Sequence, residues 1–282
     1  MPADRSSLFC GTDLAGRIER AEAQLMTETS RAARRRRADA AGFVIPVAGG
    51  AATFADEASP FNKVTGLGFG GVPSAAALEE IERAFAARRT PVQVELTSLA
   101  DPAIAARLTE RGYRLVSFEN ILGLDLEGAS GRVTPPGIEV RPSREDEFGS
   151  WLDVVIEGFA HPDTQGIPWH EEFPREILER AERDLVAAGA RCYVAWRDGA
   201  IAGGASVRMA EGVAQFTGAA TVPAHRRQGV QTALLSARLA DAAAAGCDIA
   251  VVTTSPGSVS QQNVQRQGFD LLYTRAVLVR HA

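Results

Sequence analysis

The sequence is poor in cysteine and histidine, and it contains no long apolar run. Three cysteines, Cys10, Cys192 and Cys247, are too few and too scattered among 282 residues for a disulfide framework or a zinc site. The four histidines show no ligand spacing either, so we expect no metal. No run approaches the ~18 apolar residues of a membrane helix, and the first residues lack a charged-then-apolar signal pattern. The sequence therefore predicts no membrane segment and a cytoplasmic protein.

Lysine is almost absent, since Lys63 is the only one and arginine supplies the other basic side chains. The formal net charge is −5, which argues against a nucleic-acid partner because such proteins carry a basic bias over a whole face. The one basic run, residues 31–37, ends an amphipathic pattern, and the helix dipole favours cations there. This run predicts a solvated helix end. The length and the 45% hydrophobic content suit two globular domains.

A short basic loop separates an apolar run from a helical pattern in the second half of the chain. The run Val213–Val222 predicts a strand, which Pro223 interrupts. A helical pattern follows over Thr232–Ala245, with leucines on one face. A helix N-terminus has free N–H groups and a partial positive charge, so it binds anions. Gly229 allows close approach of the backbone to such an anion.

The arginines of this loop add charge-assisted hydrogen bonds to phosphate oxygens. The arrangement suits a pyrophosphate, and the alternative is a surface turn with solvated arginines. The loop resembles the acetyl-CoA loop of the GNAT superfamily of N-acetyltransferases, with Arg226 and Gly229 on the family's pattern and Gln231 in place of its last small residue. The resemblance implies acetyl-CoA contacts from the strand end, the loop and the helix start: Ala220, Val222, Arg226, Arg227, Gln228, Gly229, Val230, Gln231 and Thr232.

The order of elements in residues 138–282 extends this resemblance. The patterns predict a strand, two helices, three strands, a helix, a strand, a helix and a strand, which is the order of the GNAT fold. The fold class implied is α/β (α+β), with a mixed, mostly antiparallel central sheet flanked by helices. In that fold the strand before the loop splays from its neighbour, so backbone amides near Ala219–Val222 would bind the pantetheine and the thioester carbonyl.

A segment near the C-terminus matches the family only in part. Ser260 and Arg266 fall on its small and basic positions, so the resemblance adds them to the acetyl-CoA contacts. Val264 stands where the family often has the tyrosine that protonates the CoA thiolate. Tyr273 is the one nearby phenol, and it is either a substitute acid or a packing residue.

The first half resembles the second in a segment that indicates an internal repeat. Residues 92–98, a short helix and Gly112-Tyr113 align with residues 249–255, a short helix and Gly268-Phe269. The glycine- and proline-containing stretch 127–137 predicts a linker. We therefore expect two domains, a degenerate GNAT-like domain in residues 1–130 and a GNAT acetyltransferase domain in residues 131–282.

The glycine-rich stretch 66–74 precedes a predicted helix of the first half, and it has no arginine at the phosphate position. This half is therefore predicted not to hold acetyl-CoA. Gly66, Gly68 and Gly71 also satisfy G-x-G-x-x-G, the pattern of a dinucleotide site. Because residues 61–65 are too polar for a buried parallel strand, the pattern favours a glycine-rich hairpin.

Acetyl transfer needs a neutral nucleophile, a polarised carbonyl and an acid for the thiolate. Glu171 and Glu172, beside His170, lie in the segment that borders the acceptor in GNAT proteins, although acidic residues are common in a first helical turn. With Tyr273 they are the catalytic candidates. An acidic pocket mouth would favour a cationic small-molecule amine.

Three classes of function fit the sequence. The first is an acetyl-CoA-dependent N-acetyltransferase whose small-molecule amine attacks the thioester directly. The second is a non-catalytic acyl-CoA-binding or regulatory module, which the altered loop and the missing tyrosine would suit. The third is an interaction scaffold in which the loop is accidental. The sequence leaves the oligomeric state open.

Overall fold

The computed structural model describes residues 7–37, 42–127, 134–161 and 173–281. Its helices are α1 (Thr12–Arg37), α2 (Ala75–Ala86), α3 (Pro102–Glu110), α4 (Phe148–Ala160), α5 (Arg175–Ala187), α6 (Val230–Ala244) and α7 (Val259–Arg266). Its strands are β1 (Phe43–Val47), β2 (Gly50–Phe54), β3 (Lys63–Leu67), β4 (Val92–Thr97), β5 (Arg114–Asp125), β6 (Ile138–Pro142), β7 (Arg191–Arg197), β8 (Ala200–Ala210), β9 (Val213–Thr221), β10 (Ile249–Thr254) and β11 (Asp270–Arg280). None of the helices described is both long and apolar enough to cross a membrane.

The chain forms two compact units. Unit 1 consists of the described residues within Met1–Gly11, Asn120–Pro168 and Ala190–Leu272. Unit 2 consists of those within Thr12–Glu119, Trp169–Gly189 and Tyr273–Ala282. Unit 1 has the strand order β5-β10-β9-β8-β7-β6, and unit 2 has the order β1-β2-β3-β4-β11. Among the strand pairs described, only β3–β4 and β9–β10 are parallel, and the predicted fold class of mixed, mostly antiparallel sheets flanked by helices is confirmed.

The two units interleave along the chain, whereas the sequence predicted a single division between residues 130 and 131. In unit 1, β10 pairs antiparallel with residues 120–125 of β5, a strand of the first half. In unit 2, β4 pairs antiparallel with residues 275–280 of β11, a strand of the second half. The linker composition marks the end of β5 along the chain. The linker composition does not tell which of the two sheets the last residues of β5 join.

The repeated segments fold alike, as β4–α3–β5 and as β10–α7–β11. Gly112 and Gly268 end the two short helices with φ of 86° and 92°, in the left-handed region that favours glycine. The following residues close equivalent bonds, from Tyr113 N to Leu108 O at 3.0 Å and from Phe269 N to Val264 O at 3.2 Å. The shared helix ends support an origin by duplication.

The prediction of a glycine-rich hairpin at residues 66–71 is wrong. β3 runs into α2 and pairs parallel with β4, so this stretch joins a strand to a helix, as the basic loop does between β9 and α6. The strand looked too polar because of Lys63. Inside unit 2 the Lys63 ammonium is paired with Glu95 at 2.5 Å, which offsets part of the cost of its burial.

Two glycines in β8 allow helices to approach both faces of the unit 1 sheet. A Cβ on Gly203 would lie 2.7 Å from Val230 Cγ1 of α6, and one on Gly204 would lie 2.7 Å from Trp151 Nε1 of α4. Successive residues of a strand face opposite sides, so α6 and α4 cover opposite faces. The Trp151 indole is fixed by a 3.0 Å hydrogen bond to Tyr193 O.

Candidate active site

The candidate site begins where β9 separates from β10. The parallel ladder runs from Val213 opposite Ile249 to Phe216 opposite Val252, and no later pair is found among the described residues. β9 nevertheless continues to Thr221. Its last five residues therefore have a main-chain edge without a ladder partner on that side, at the place where the resemblance implied a splayed strand.

A β-bulge coincides with this separation. On the other side of β9, Gly204 is opposite Ala220 and Ser206 is opposite Thr217. One β8 residue thus faces two residues of β9, Gly218 and Ala219. Gly218 has a φ of 52°, which is the left-handed conformation that such bulges use. The bulge turns the peptide groups of β9 out of the regular ladder.

The loop after β9 leads into helix α6, whose N-terminus has no side-chain cap. Gly229 is the N-cap of α6 with a φ of 85° and no side-chain cap. The first main-chain bond into the helix joins Ala233 N to Gly229 O at 2.9 Å. The N–H groups of Val230, Gln231 and Thr232 have no acceptor among the described residues. The helix starts two residues before the predicted Thr232, and its first turn presents free donors to an anion.

The equivalent helix of unit 2 has a side-chain cap at its N-terminus. Ser74 caps α2 by accepting a hydrogen bond from Ala77 N at 3.1 Å. The loop before it packs against the β1–β2 turn, because a Cβ on Gly70 would lie 2.6 Å from Gly49 N. The serine cap already satisfies one first-turn N–H of α2, whereas α6 has no such cap, and this difference favours the prediction that the first half does not hold acetyl-CoA.

Arg226 has a role that the sequence did not reveal. Its guanidinium donates to Thr221 O at 3.3 Å, to Gly158 O at 3.4 Å and to His161 O. These carbonyls lie at the end of β9 and at the C-terminus of α4, where a cation is favoured by the helix dipole. Arg226 therefore ties the loop to α4, whereas Arg227 is exposed, with a φ of 59°.

Two polar atoms at the site have no partner within the part of the chain that the structure describes. Thr221 Oγ1 at the end of β9 and Gln231 Oε1 in the first turn of α6 are buried there without a hydrogen bond. Buried polar atoms are nearly always bonded in folded proteins, so an orphan calls for a ligand or water. A ligand with both donors and acceptors, as CoA has, fits this part of the site.

Helix α7 carries the two C-terminal residues that were predicted to contact acetyl-CoA, Ser260 and Arg266. Ser258 caps this helix by accepting from Gln261 N at 3.1 Å. Ser260 and Arg266 are exposed on its first and last turns. Val264, at the position where the family often has tyrosine, is buried in the core of unit 1. The helix thus presents two polar side chains and no phenol.

Of the three catalytic candidates, the structure describes only Tyr273. Tyr273 is buried in unit 2, and its hydroxyl donates to Glu19 Oε1 at 2.8 Å. Glu171 and Glu172, like their neighbour His170, lie outside the described residues. A search of the described residues finds no group of three side chains suited to a metal.

Glu19 belongs to a buried charge network in unit 2. Arg275 Nε lies 2.7 Å from Glu19 Oε1, and Arg275 Nη1 lies 3.5 Å from Glu95 Oε2 and 3.9 Å from Glu119 Oε2. Burial raises the pKa of Glu19 and, with the charge of Glu95, raises the pKa of Glu119 to about 8. Burial acts in the same direction on Glu95, but Lys63 and Arg275 lower its pKa overall. Two cations and three acids thus lie together in the interior of unit 2.

Residues 156–269 match the model of the Acetyltransferase (GNAT) family. The matched region contains the opened strand, the basic loop, α6 and α7. It is a GNAT domain. No curated protein matches the sequence, but solved structures match most of the chain.

The fold of the chain is similar to those of solved GNAT proteins. A GCN5-related N-acetyltransferase from Kribbella flavida has 22% identity and a TM-score of 0.68, covering 96% of this chain and 97% of that one. A tandem GNAT protein from the clavulanic acid biosynthesis pathway has 15% identity and a TM-score of 0.59, covering 97% and 96%. A GCN5-related N-acetyltransferase from Sphaerobacter thermophilus has 16% identity and a TM-score of 0.53, covering 73% and 66%. The fold of the whole chain is therefore similar to that of GNAT proteins, one of which is a tandem GNAT protein.

Proposed function

We propose that the GNAT domain is an acetyl-CoA-dependent N-acetyltransferase that acts on a small-molecule amine. The observation that carries the proposal is the uncapped start of α6 beside the separated end of β9. A helix N-terminus suits a pyrophosphate, and an unpaired strand edge suits the amide groups of pantetheine.

Each cofactor-binding residue has a part in this proposal. Gly229 and the first-turn N–H groups of α6 bind the pyrophosphate, with charge from Arg227. The main chain of Ala220 and Val222 binds the pantetheine. The remaining contacts come from side chains around this path: Gln228, Gln231, Thr232, Ser260 and Arg266. Arg226 acts by holding the loop against α4.

The reaction proposed is a direct transfer. The neutral amine nitrogen attacks the thioester carbonyl carbon, the C–S bond breaks, and the amine loses a proton while the CoA thiolate gains one. N–H groups of the β9 bulge stabilise the negative charge that develops on the carbonyl oxygen. Acetyl-CoA supplies the acetyl group, and the chain supplies orientation and these hydrogen bonds.

A non-catalytic acyl-CoA-binding module is the second candidate, and the buried Val264 favours it because no phenol stands at the acid position. Thiol release from acetyl-CoA, measured with a panel of amino acids, polyamines, aminoglycosides and peptides, separates the two functions. Release with an amine supports the transferase. CoA binding by calorimetry without release from any amine supports the module, and absence of binding contradicts both.

The two arginines of the loop are expected to respond differently to salt. Arg227→Ala should weaken acetyl-CoA binding most at low salt, because a direct contact to phosphate is screened as ionic strength rises. Arg226→Ala should weaken binding by a factor of about 3–10 at every salt concentration, since it removes hydrogen bonds that hold the loop. Calorimetric titrations at several salt concentrations measure both slopes, with the surface variant Arg144→Ala as control. Equal slopes for the two variants would contradict these roles.

Tyr273→Phe tests the candidate acid. If Tyr273 protonates the thiolate, turnover should fall by roughly 10- to 100-fold while the affinity for CoA stays unchanged. If the hydroxyl only donates to Glu19, turnover should stay unchanged and stability should fall by about 1–2 kcal/mol, because a buried carboxylate oxygen loses one of its two donors, the other being Arg275. Steady-state rates and urea unfolding of the same preparation distinguish the outcomes. An unchanged rate leaves water or the substrate as the proton source.

The acceptor is proposed to be cationic on the basis of the acidic segment around Glu171 and Glu172. Neutralising both residues to glutamine should raise the KM for a cationic amine and weaken its dependence on salt. A KM unaffected by the double substitution contradicts the steering, and exclusive turnover of an anionic or protein substrate contradicts the substrate class.

A further inference from the structure

A buried arginine of α6 lies behind the candidate site without a counter-ion. Arg238 is 2% exposed, and it has no ion-pair partner among the described residues. Burial lowers its pKa to about 9, so the guanidinium remains charged at neutral pH. Buried charges without a partner are costly. We therefore expect the Arg238 guanidinium to make contacts with the sheet beneath α6 that an apolar side chain at this position could not make.

Two of the hydrogen bonds of Arg238 go to strand residues at the edge of the β9 bulge, one on β8 and one on β9. Nη1 donates to Ser206 O at 2.9 Å and to Thr217 O at 3.4 Å, and Nε donates to Leu234 O of its own helix at 3.2 Å. The guanidinium carbon lies 4.6 Å from the centre of the Phe216 ring. Phe216 is the last residue of β9 paired with β10, and Ser206 is opposite Thr217 at the edge of the bulge.

The position of the cation fixes the direction of one peptide group. A trans peptide is planar, so the C=O of Thr217 and the N–H of Gly218 point in opposite directions. Because Arg238 binds Thr217 O, the Gly218 N–H points away from α6. A cation on the carbonyl oxygen also polarises the whole peptide, which makes its N–H a stronger donor.

We propose that Arg238 is a positioning residue for acetyl transfer, holding the Thr217–Gly218 peptide so that the Gly218 N–H donates to the thioester carbonyl of bound acetyl-CoA. The inference rests on the proposed function, because it needs acetyl-CoA in the opening of β9. Arg238 itself touches no substrate. It acts through one peptide bond, and the effect is largest on the oxyanion that forms as the amine attacks.

A purely structural role would be shared by Arg208, a second buried arginine among the described residues of unit 1. Arg208 is 3% exposed, and its Nη1 donates to Gln215 Oε1 at 2.9 Å. Arg208 and Gln215 are opposite each other in the regular part of the β8–β9 ladder. Arg208→Met therefore matches Arg238→Met in the loss of a buried guanidinium, while leaving the bulge intact.

Infrared spectroscopy of acetyl-CoA labelled with ¹³C at the carbonyl provides the test, because it needs no acceptor. In the wild-type protein the bound carbonyl band should lie below its frequency in solution, as a hydrogen bond weakens the C=O bond. Arg238→Met should return the band toward the solution frequency while the CoA affinity stays within about threefold of wild type, since the pyrophosphate contacts are separate. Arg238→Lys, which keeps the charge, should retain part of the shift, and Arg208→Met should retain all of it.

The outcomes separate the two proposals. Absence of CoA binding to the wild-type protein overturns the proposed function and this inference together. Binding with an unshifted band in the wild type, or with the same shift in wild type and Arg238→Met, overturns the role of Arg238 alone. If Arg238→Met does not fold, Arg238→Lys decides, and a band identical to wild type in that variant contradicts the positioning role.

Discussion

Gly229→Glu is expected to lower the affinity for acetyl-CoA by about 100-fold or more, because charge-assisted contacts contribute roughly 1.5–3 kcal/mol each and several are lost together. Gly229 has a φ of 85°, and a Cβ there would lie 3.0 Å from Pro135 Cγ. The new side chain thus displaces the loop from the residues before β6. Its carboxylate also takes the place of the pyrophosphate at the free N–H groups of α6, and it repels what remains of the phosphate charge.

Gly246→Glu is the matched control at the other end of the same helix. Gly246 has a φ of 80°, and a Cβ there would meet nothing within 4 Å. The two variants share the left-handed backbone and the added charge, so they share most of the conformational cost. Calorimetry should show binding close to wild type for Gly246→Glu and none measurable for Gly229→Glu, with the same circular dichroism spectrum for both. Equal affinities would show that the start of α6 does not bind the nucleotide.

The start of α6 was predictable because all of its determinants lie in one continuous segment. A strand pattern, Pro223, a glycine and a helical pattern follow one another within a few residues, and each acts locally on the backbone. The contacts of Arg226 were not predictable in this way. Its acceptors at Gly158 and His161 are 68 and 65 residues away in the chain, and sequence spacing carries no information on such a meeting.

The sequence analysis did not predict that the end of β5 pairs in unit 1 and the end of β11 pairs in unit 2, and the reason is related. The repeat showed that β4–α3–β5 and β10–α7–β11 are equivalent, but equivalence does not say which strand pairs with which. β5 and β11 have 12 and 11 residues, about twice the usual strand length. Length alone does not identify such strands, because β8 also has 11 residues and pairs only with β7 and β9 of unit 1.

The sequence also contains a signal for the charge network of unit 2, but the signal is not visible when residues are considered one at a time. Glu95 and Arg275 each interrupt an apolar strand pattern, and Lys63 precedes another. A charge inside such a run is either exposed at an edge or paired in the interior. The partners come from α1, β3, β4, β5 and β11, so the pairing becomes visible only when these elements meet.

Arg275→Met is expected to reduce the free energy of unfolding by about 3–5 kcal/mol at pH 7, because removal of one partner leaves buried carboxylates uncompensated. Arg275 is 2% exposed and is the cation nearest to Glu19. The deficit should shrink at acid pH. Without Arg275 the pKa values of Glu19 and Glu119 rise further, so these acids bind protons in the folded state. Their contribution to the stability of the variant is therefore largest at low pH and falls as pH rises.

Arg280→Met, in the same strand, tests whether burial decides the size of this effect. The Arg280 side chain is 37% exposed, and its partner Glu82 keeps a second pair, to Arg111 at 2.5 Å. Its loss should therefore cost less than about 1 kcal/mol. Urea unfolding at pH 5.5 and pH 7.5 compares the two variants with wild type. Equal losses for Arg275→Met and Arg280→Met, or a loss for Arg275→Met that does not depend on pH, would show that the buried acids are already protonated and that the arginine contributes packing alone.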